Sequence, residues 1–172
     1  MSEVSTESGS FRDRRGRIYY VDGRVLRTVM PMAVPDYDFV RASGLIDALQ
    51  EQGKLTAEAR VDAALLGEFG EDAHYVLEHP RLPFISYPYE WSFSALQAAA
   101  LLHLDVQQQA LKKNVTLTDA TAYNIQFVGH KPIFIDNLSF RRYEDGEFWA
   151  GHRQFFEQFV NPLLLRSVNG VA

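Results

Sequence analysis

The chain has 172 residues and a formal net charge of −5, from 17 lysines and arginines against 22 aspartates and glutamates. This length favours one domain and suffices for a core without disulfide or metal support. The absence of cysteine excludes a disulfide scaffold, a thiolate zinc site and a cysteine nucleophile. The acidic balance argues against nucleic acid as a partner.

No apolar run reaches the roughly 20 residues of a membrane span, and Met1–Ser10 lacks a signal-peptide core. We therefore expect a cytoplasmic protein that does not enter a membrane. Aromatic residues make up 13% of the chain. That content indicates an aromatic-rich core, or aromatic surface that another domain or a ligand covers.

The first elements in chain order are a leader and a hairpin. Residues 1–10 are too polar to fold alone and predict a disordered leader. A β-hairpin is predicted over 17–29, because Asp22 and Gly23 lie between two β-prone runs and favour a type I′ turn.

A helix is predicted over about 37–51, with Asp36 as its N-terminal cap and Gly53 just after its end. Gly44 in its middle also allows two shorter helices. Short extended runs are predicted at 74–78 and 84–87, where prolines separate them.

The strongest helix signal covers about 95–113, where Ser94 and Gln97 fit a capping box. Its predicted core face carries Leu101, Leu104 and Leu111. A second hairpin is predicted over 124–136. A last helix is predicted over about 147–159, ending or kinking at Pro162, and one of its faces carries four aromatic side chains: Phe148, His152, Phe155 and Phe159.

Three polar residues form the candidate site. Asp119 precedes Asn124 by five residues just after the long helix, and Asp136 ends the second strand of the predicted second hairpin. Two carboxylates and an amide form an oxygen-ligand set suited to Mg²⁺. The alternative is that these side chains only cap turns, since Asp and Asn readily bond nearby backbone N–H groups.

This order of helix, Asp-x-x-x-x-Asn loop, hairpin and Asp resembles the catalytic core of the protein-kinase-like fold, which includes aminoglycoside and choline phosphotransferases. The resemblance implies that Asp119 is the catalytic residue that orients an attacking hydroxyl. It also implies that Asn124 and Asp136 hold Mg²⁺ on the phosphates of ATP.

The same resemblance implies an adenine-binding hinge within Phe84–Glu90, with Tyr87, Tyr89 and Glu90 as cofactor-binding residues. Arg27 is the cation on a predicted strand that would contact phosphate, because no lysine precedes Lys54. The implied fold is α+β, a reduced protein-kinase-like domain over residues 11–172. A small N-terminal antiparallel sheet and the hinge would occupy about 11–90, and a mostly helical part would occupy 91–172.

Longer strings are similar to the N-terminal region of a bacterial group of class I SAM-dependent methyltransferases, some of them nodulation-related. They are Ser10–Asp13, Pro83–Phe93, Asp119–Phe127 and Phe134–Phe140. We find no strand followed by the Gly-x-Gly turn of a SAM-binding domain, so no methyltransferase domain is expected and SAM is not expected to bind this chain alone.

These observations leave three functional hypotheses. The first is a kinase-like accessory module that serves a methyltransferase system. Like a pseudokinase, it would bind a nucleotide or other phosphorylated ligand weakly or not at all. The second is an active ATP- and Mg²⁺-dependent phosphotransferase acting on a small hydroxyl substrate. The third is a non-catalytic interaction domain. The expected partners are a methyltransferase domain or a second copy of the chain, besides a nucleotide or other small-molecule ligand.

Overall fold

The computed structural model describes residues 4–7 and 13–170. It combines antiparallel sheets with helices, so the predicted α+β class is confirmed. The chain divides into two compact units. One contains the chain up to Asp38 together with Ala57–Arg81, and the other contains Phe39–Thr56 together with the chain from Leu82 onward. The chain thus passes between the units three times, where the sequence prediction drew one boundary at residue 90.

The first unit is built on a five-stranded antiparallel sheet. Its strands are β1 (Val4–Thr6), β2 (Ile18–Val21), β3 (Arg24–Val29), β4 (Ala59–Val61) and β5 (Tyr75–His79). They lie in the order β1-β2-β3-β5-β4. Alternate residues of the strands face a 3-10 segment, Ala63–Gly70, and enclose an apolar cluster of Tyr19, Val21, Leu26, Leu66 and Val76.

The predicted first hairpin is confirmed as β2 and β3. Asp22 and Gly23 form its two-residue turn, and their φ angles of 49° and 80° are the positive values that a type I′ turn requires. The predicted disordered leader is wrong for residues 4–6, which form β1 and pair with β2. Val4 packs against the apolar cluster and anchors this polar strand. Residues 1–3 and 8–10 of the predicted leader lie outside the described residues.

The second unit holds most of the helices. Helix α1 (Val34–Ala42) spans the boundary between the two units. The helices and strands that follow it in the second unit are α2 (Leu45–Glu51), α3 (Phe93–Leu111), β6 (Val115–Leu117), β7 (Ile125–Val128), β8 (Lys131–Phe134), β9 (Phe140–Arg142), α4 (His152–Phe155) and α5 (Asn161–Asn169). Two antiparallel ladders, β6 with β9 and β7 with β8, complete it. Helix α3, the Asp119 loop, the β7–β8 hairpin and Asp136 follow one another in the order predicted from the kinase-like resemblance.

Two short helices replace the single helix predicted over 37–51, as Gly44 allowed. Gly44 has a φ of 72° between α1 and α2, and Gly53 has a φ of 65° after α2, so both adopt the left-handed conformation that glycine tolerates. The prediction of Asp36 as the cap is wrong. Helix α1 begins at Val34, and Asp36 lies in its first turn, where it pairs with Arg15.

Helix α3 begins two residues earlier than predicted, because Ser92 rather than Ser94 caps it by accepting a hydrogen bond from Ala95 N. The predicted core face is also wrong, since the three leucines named for it are exposed. The buried stripe instead includes the polar side chains of His103 and Gln107, which were not expected to face the core. Its members are Leu96, Ala99, Ala100, Leu102, His103, Val106, Gln107 and Ala110.

His103 lies completely buried in an aromatic surround. Four rings have centroids within 5.8 Å of the imidazole, those of Phe134, Trp149, Phe155 and Phe159. Among the described residues, neither ring nitrogen has a hydrogen-bond partner. Burial lowers the pKa of His103 to about 4, so the imidazole is neutral at physiological pH.

The last helix starts at His152, later than predicted, and continues past Pro162 to Asn169. A π-helical turn, Phe156–Val160, precedes the proline, which lacks the N–H of a regular helical hydrogen bond. Of its predicted aromatic face, Phe155 and Phe159 are buried. Phe148 is 95% exposed and precedes the helix, and His152 is also exposed.

Within residues 4–7 and 13–170, no helix combines the length and the apolar character that crossing a membrane requires.

We expect acid to destabilise the fold through His103. Its pKa is about 4 when folded and about 6.5 when unfolded, so the unfolded chain binds the proton more tightly. The free energy of unfolding should therefore fall as the pH drops from about 6.5 to 4, by up to about 3 kcal/mol. Urea unfolding across this pH range measures it.

The variant His103→Phe should lose this part of the pH dependence, because phenylalanine fills similar space without a titrating nitrogen. Replacing Leu165, which is exposed on the last helix and has no titrating group, by alanine should leave the pH dependence unchanged. Equal pH dependence in the His103 variant and the native chain would contradict the assignment.

Candidate functional site

Asp119, Asn124 and Asp136 converge on the hydroxyl of Ser139. Ser139 Oγ donates to Asp136 Oδ2 at 2.6 Å and lies 3.5 Å from Asp119 Oδ1. Asn124 Nδ2 donates to Asp119 Oδ1 at 2.9 Å and to Ser139 Oγ at 3.1 Å. The three predicted residues and Ser139 therefore form one hydrogen-bonded cluster, which we call the Asp119 cluster.

Strand ends bring the Asp119 cluster together. Asp119 follows β6, and Asp136 and Ser139 lie between β8 and β9. Thr118 N donates to Ser139 O at 2.7 Å, which extends the β6–β9 ladder to the cluster. Ile135 N donates to Asn124 O at 2.9 Å and extends the β7–β8 ladder in the same way.

The Asp119 cluster combines buried and accessible groups. Asn124 and Ser139 are buried, whereas Asp119 and Asp136 are half-buried. Asp136 Oδ1 accepts a hydrogen bond from Leu138 N at 3.1 Å, so one of its oxygens does cap a turn. Its other oxygen joins Ser139, and Asn124 uses its amide for side chains, so turn capping alone does not account for this arrangement.

The oxygen atoms of the Asp119 cluster fit a hard divalent cation, which prefers carboxylate and carbonyl oxygens as ligands. The Asn124 amide nitrogen faces Asp119 and Ser139, so its carbonyl oxygen is the atom that would face a cation. A cation at Asp136 Oδ2 would compete with the Ser139 hydroxyl. No group of three or more His, Cys, Asp or Glu side chains that could hold a metal occurs in the described part of the chain.

Two glutamines of the last helix hold the Asp119 loop. Ala120 N donates to Gln154 Oε1 at 2.9 Å, and Ala122 N donates to Gln158 Oε1 at 2.8 Å. The two glutamines are four residues apart and therefore share one helix face. These loop N–H groups have no hydrogen-bond partner in a strand or helix backbone, and the glutamines supply one. The glutamines thereby fix the backbone between Asp119 and Asn124.

Gly151 lets the last helix approach the same loop. A Cβ atom at Gly151 would lie 2.8 Å from the Asp119 carbonyl carbon and 2.9 Å from Ala120 Cβ, distances that real Cβ atoms do not tolerate. Only glycine fits this contact without moving the backbone of Asp119.

Gln107 fixes the strand before the loop. It is buried on α3, and its Nε2 donates to Thr116 Oγ1 at 3.0 Å. Leu117 N donates to Gln107 Oε1 at 2.9 Å. The amide thereby ties β6 to α3, two residues before Asp119.

The segment predicted to be an extended hinge is not a strand over 84–87. Gln126, buried on β7, takes the place of a strand partner: Ser86 N donates to its Oε1 at 2.9 Å, and its Nε2 donates to Ser86 O at 3.0 Å. Trp91 Nε1 also donates to Ser86 Oγ at 2.9 Å. Side chains hold this segment in place, and such contacts cannot be predicted from the strand propensity of its residues.

The predicted cofactor-binding residues Tyr87, Tyr89 and Glu90 form a 3-10 turn with its own internal contacts. Tyr87 N donates to Glu90 Oε2 at 2.7 Å, so this backbone N–H is already used within the turn. The Tyr87 and Tyr89 rings stack with their centroids 5.5 Å apart. Tyr123, next to Asn124, lies 6.4 Å from Tyr87 between ring centroids.

Arg27, predicted to contact phosphate, lies buried on β3 in the first unit. Its Nη2 donates to Asp13 Oδ2 at 2.9 Å in a salt bridge. The guanidinium is thus neutralised within the sheet unit itself.

Sequence reasoning missed Ser139, Gly151 and the glutamines that hold the loops. Ser139 follows Asp136 by three residues, close enough within a turn for the two side chains to bond each other. The spacing of Gln154 and Gln158 was visible as well. Nothing in the sequence showed which backbone groups these amides reach.

Comparison with known proteins gives one curated relative. The nodulation protein NoeA of Rhizobium meliloti (strain 1021) is 46% identical over 161 residues, which is 94% of this chain and 33% of NoeA. The chain thus spans about a third of the length of the relative that it matches. No family model matches the sequence.

Among solved structures, the structure of vaccinia related kinase 3 aligns with a TM-score of 0.46 and 14% sequence identity. The alignment covers 83% of this chain and 49% of that chain.

We expect Gly151→Ala to displace the Asp119 loop, because the added methyl group meets its backbone. The fold should lose about 1–3 kcal/mol, and the amides of Ala120 and Ala122 should exchange hydrogen faster. Gly70→Ala is the matched control, since its Cβ would clash with Ala63 O in the first unit. Equal exchange rates at Ala120 in the two variants would contradict this role of Gly151.

We expect Gln154→Ala to release the Ala120 amide without unfolding the chain. Loss of one hydrogen bond worth about 1 kcal/mol should make this amide exchange about fivefold faster, measured by NMR. Arg153→Ala removes only a surface ion pair with Glu157 and should leave the rate unchanged. A change confined to the last helix itself would show that Gln154 does not hold the loop.

Proposed function

We propose that this chain is a kinase-like accessory module of a SAM-dependent methyltransferase system, which binds a nucleotide or another phosphorylated ligand weakly through Mg²⁺. The observation that carries the proposal is the convergence of Asp119, Asn124 and Asp136. These residues are separated in sequence, yet one serine hydroxyl links them.

In this proposal, Asp136 and the Asn124 carbonyl oxygen hold the cation, and the bound Mg²⁺ neutralises phosphate charge. Asp119 is the half-buried carboxylate next to them. It would accept a hydrogen bond from a hydroxyl group of the ligand, and the contacts that Gln154 and Gln158 make with its loop support this role.

Two contacts favour weak binding over efficient catalysis. The Arg27 guanidinium is paired with Asp13, and the Tyr87 N–H, a candidate for adenine recognition, is paired with Glu90. A nucleotide would have to compete with both. The accessory role also agrees with the match to one third of NoeA, since a larger protein has room for a further domain.

The second candidate is an active phosphotransferase on a small hydroxyl substrate. The fixed loop favours it, because phosphoryl transfer depends on positioning and on stabilisation of charge more than on covalent chemistry of the protein. A third candidate is an interaction domain. The exposed apolar residues of the last helix favour that one: Phe156, Leu164, Leu165 and Val168.

ATP binding measured by calorimetry with and without Mg²⁺ tests the proposal. We expect weak, Mg²⁺-dependent binding with a dissociation constant of about 1 mM. Asp136→Asn should weaken it about tenfold, because the substitution removes the charge but keeps an oxygen that can cap Leu138 N. Asp145→Ala, on an exposed loop, is the control that should bind as the native chain does.

Tight Mg²⁺-dependent binding that is lost in Asp136→Asn would favour the phosphotransferase. An absence of binding at millimolar ATP would overturn nucleotide binding at the Asp119 cluster and leave the interaction domain. Equal binding by Asp136→Asn and the native chain would place the nucleotide elsewhere.

A further inference from the structure

Three tyrosines form an exposed aromatic cluster beside the Asp119 loop, which we call the tyrosine cluster: Tyr87, Tyr89 and Tyr123. The Tyr87 and Tyr89 rings are parallel within 2°, and the Tyr123 ring is tilted by 58° to Tyr87. Their exposed fractions are 44%, 72% and 52%. Exposed aromatic surface concentrated in one place commonly marks a binding site.

The backbone under the tyrosine cluster is fixed. The Ser86 N–H and carbonyl are both bonded to the Gln126 amide, and Tyr87 N is bonded to Glu90. Tyr123 N donates to Thr121 Oγ1 at 3.3 Å. The rings are therefore carried by ordered backbone, which reduces the entropy lost when a ligand is bound.

Glu90 follows Tyr89 in the same 3-10 turn and adds one carboxylate to the tyrosine cluster. Glu90 is exposed, and within the described residues no lysine or arginine forms a salt bridge with it. Desolvation and then the Glu90 carboxylate raise the pKa of the Tyr89 hydroxyl. The Tyr87 and Tyr123 phenols add to this shift.

We propose that the tyrosine cluster, with Glu90, binds the alkylated ammonium group of a small organic cation. The faces of tyrosine rings attract cations, and a quaternary ammonium group is a ligand that such rings recognise. Glu90 complements its charge and disfavours an anion. A flat base such as adenine fits less well, because the Ser86 and Tyr87 N–H groups that would read its edge are already bonded.

This site goes beyond the proposed nucleotide role and does not depend on it. Tyr123 directly precedes Asn124, so a molecule that carries the cation would be held next to the Asp119 cluster. Binding can be measured without nucleotide and without Mg²⁺, so failure of ATP binding and failure of cation binding are separate results.

The test is an NMR titration of the 172-residue chain with tetramethylammonium chloride, following the tyrosine ring signals at constant ionic strength. We expect saturable shifts at the three tyrosines with a dissociation constant of about 1–10 mM. tert-Butanol, which is neutral and similar in size, should give no saturable shift.

Variants distinguish a contribution of the tyrosine ring faces to binding from a general effect of the protein surface. Tyr89→Leu should weaken binding about tenfold, and Tyr89→Phe, which keeps the ring, should leave it within about twofold. Glu90→Gln should weaken it several-fold, because its amide oxygen still accepts from Tyr87 N but the charge is gone. Phe84→Leu, on the same segment and 71% exposed, is the control that should bind as the native chain does.

Each contrary result overturns the proposal. Saturation by tert-butanol to the same extent would show an apolar surface rather than a cation site. Equal weakening by Phe84→Leu and Tyr89→Leu, with unchanged amide spectra, would show that the tyrosines have no special role. The absence of a saturable shift would exclude the site directly.

Discussion

Side-chain amides hold the irregular segments of the second unit where regular pairing ends. Gln107 bonds the strand before Asp119, Gln154 and Gln158 bond the loop after it, and Gln126 bonds both backbone groups of Ser86. Buried backbone N–H groups need partners, and these loops find few in the ladders. A glutamine supplies a donor and an acceptor at the end of a flexible stem, so it can stand in for a neighbouring strand.

This constraint connects the fold to the candidate site. The two short ladders bring Asp119, Asn124 and Asp136 near one another, but their side chains meet only because the loops between them are fixed. Gly151 adds a close approach of the last helix that no other residue allows. The site therefore depends on the last helix as well as on the two ladders.

Part of the fold could be predicted from the backbone preferences of a few neighbouring residues. The Asp22-Gly23 turn, the break at Gly44 and the β7–β8 hairpin depend on backbone preferences that neighbouring residues set. The core face of α3 was mispredicted because His103 and Gln107 are polar and yet buried. Their burial depends on aromatic rings and strands far away in sequence. Asp119, Asn124 and Asp136 could be predicted as site residues from their spacing in the sequence. The roles of Ser139 and the glutamines depend on tertiary contacts, which cannot be deduced from spacing.

The π-helical turn before Pro162 has a consequence for how this chain can vary. Its hydrogen bonds join residues five apart instead of four, so the turn takes up one residue more than an α-helix would between Phe155 and α5. Deleting a single residue from Phe156–Val160 would leave an ordinary α-helical turn there, and α5 would face the same way as before. The same deletion in a regular α-helical part of the last helix would rotate all that follows by about 100° about the helix axis, so the π-helical turn is the segment that best tolerates the loss of one residue.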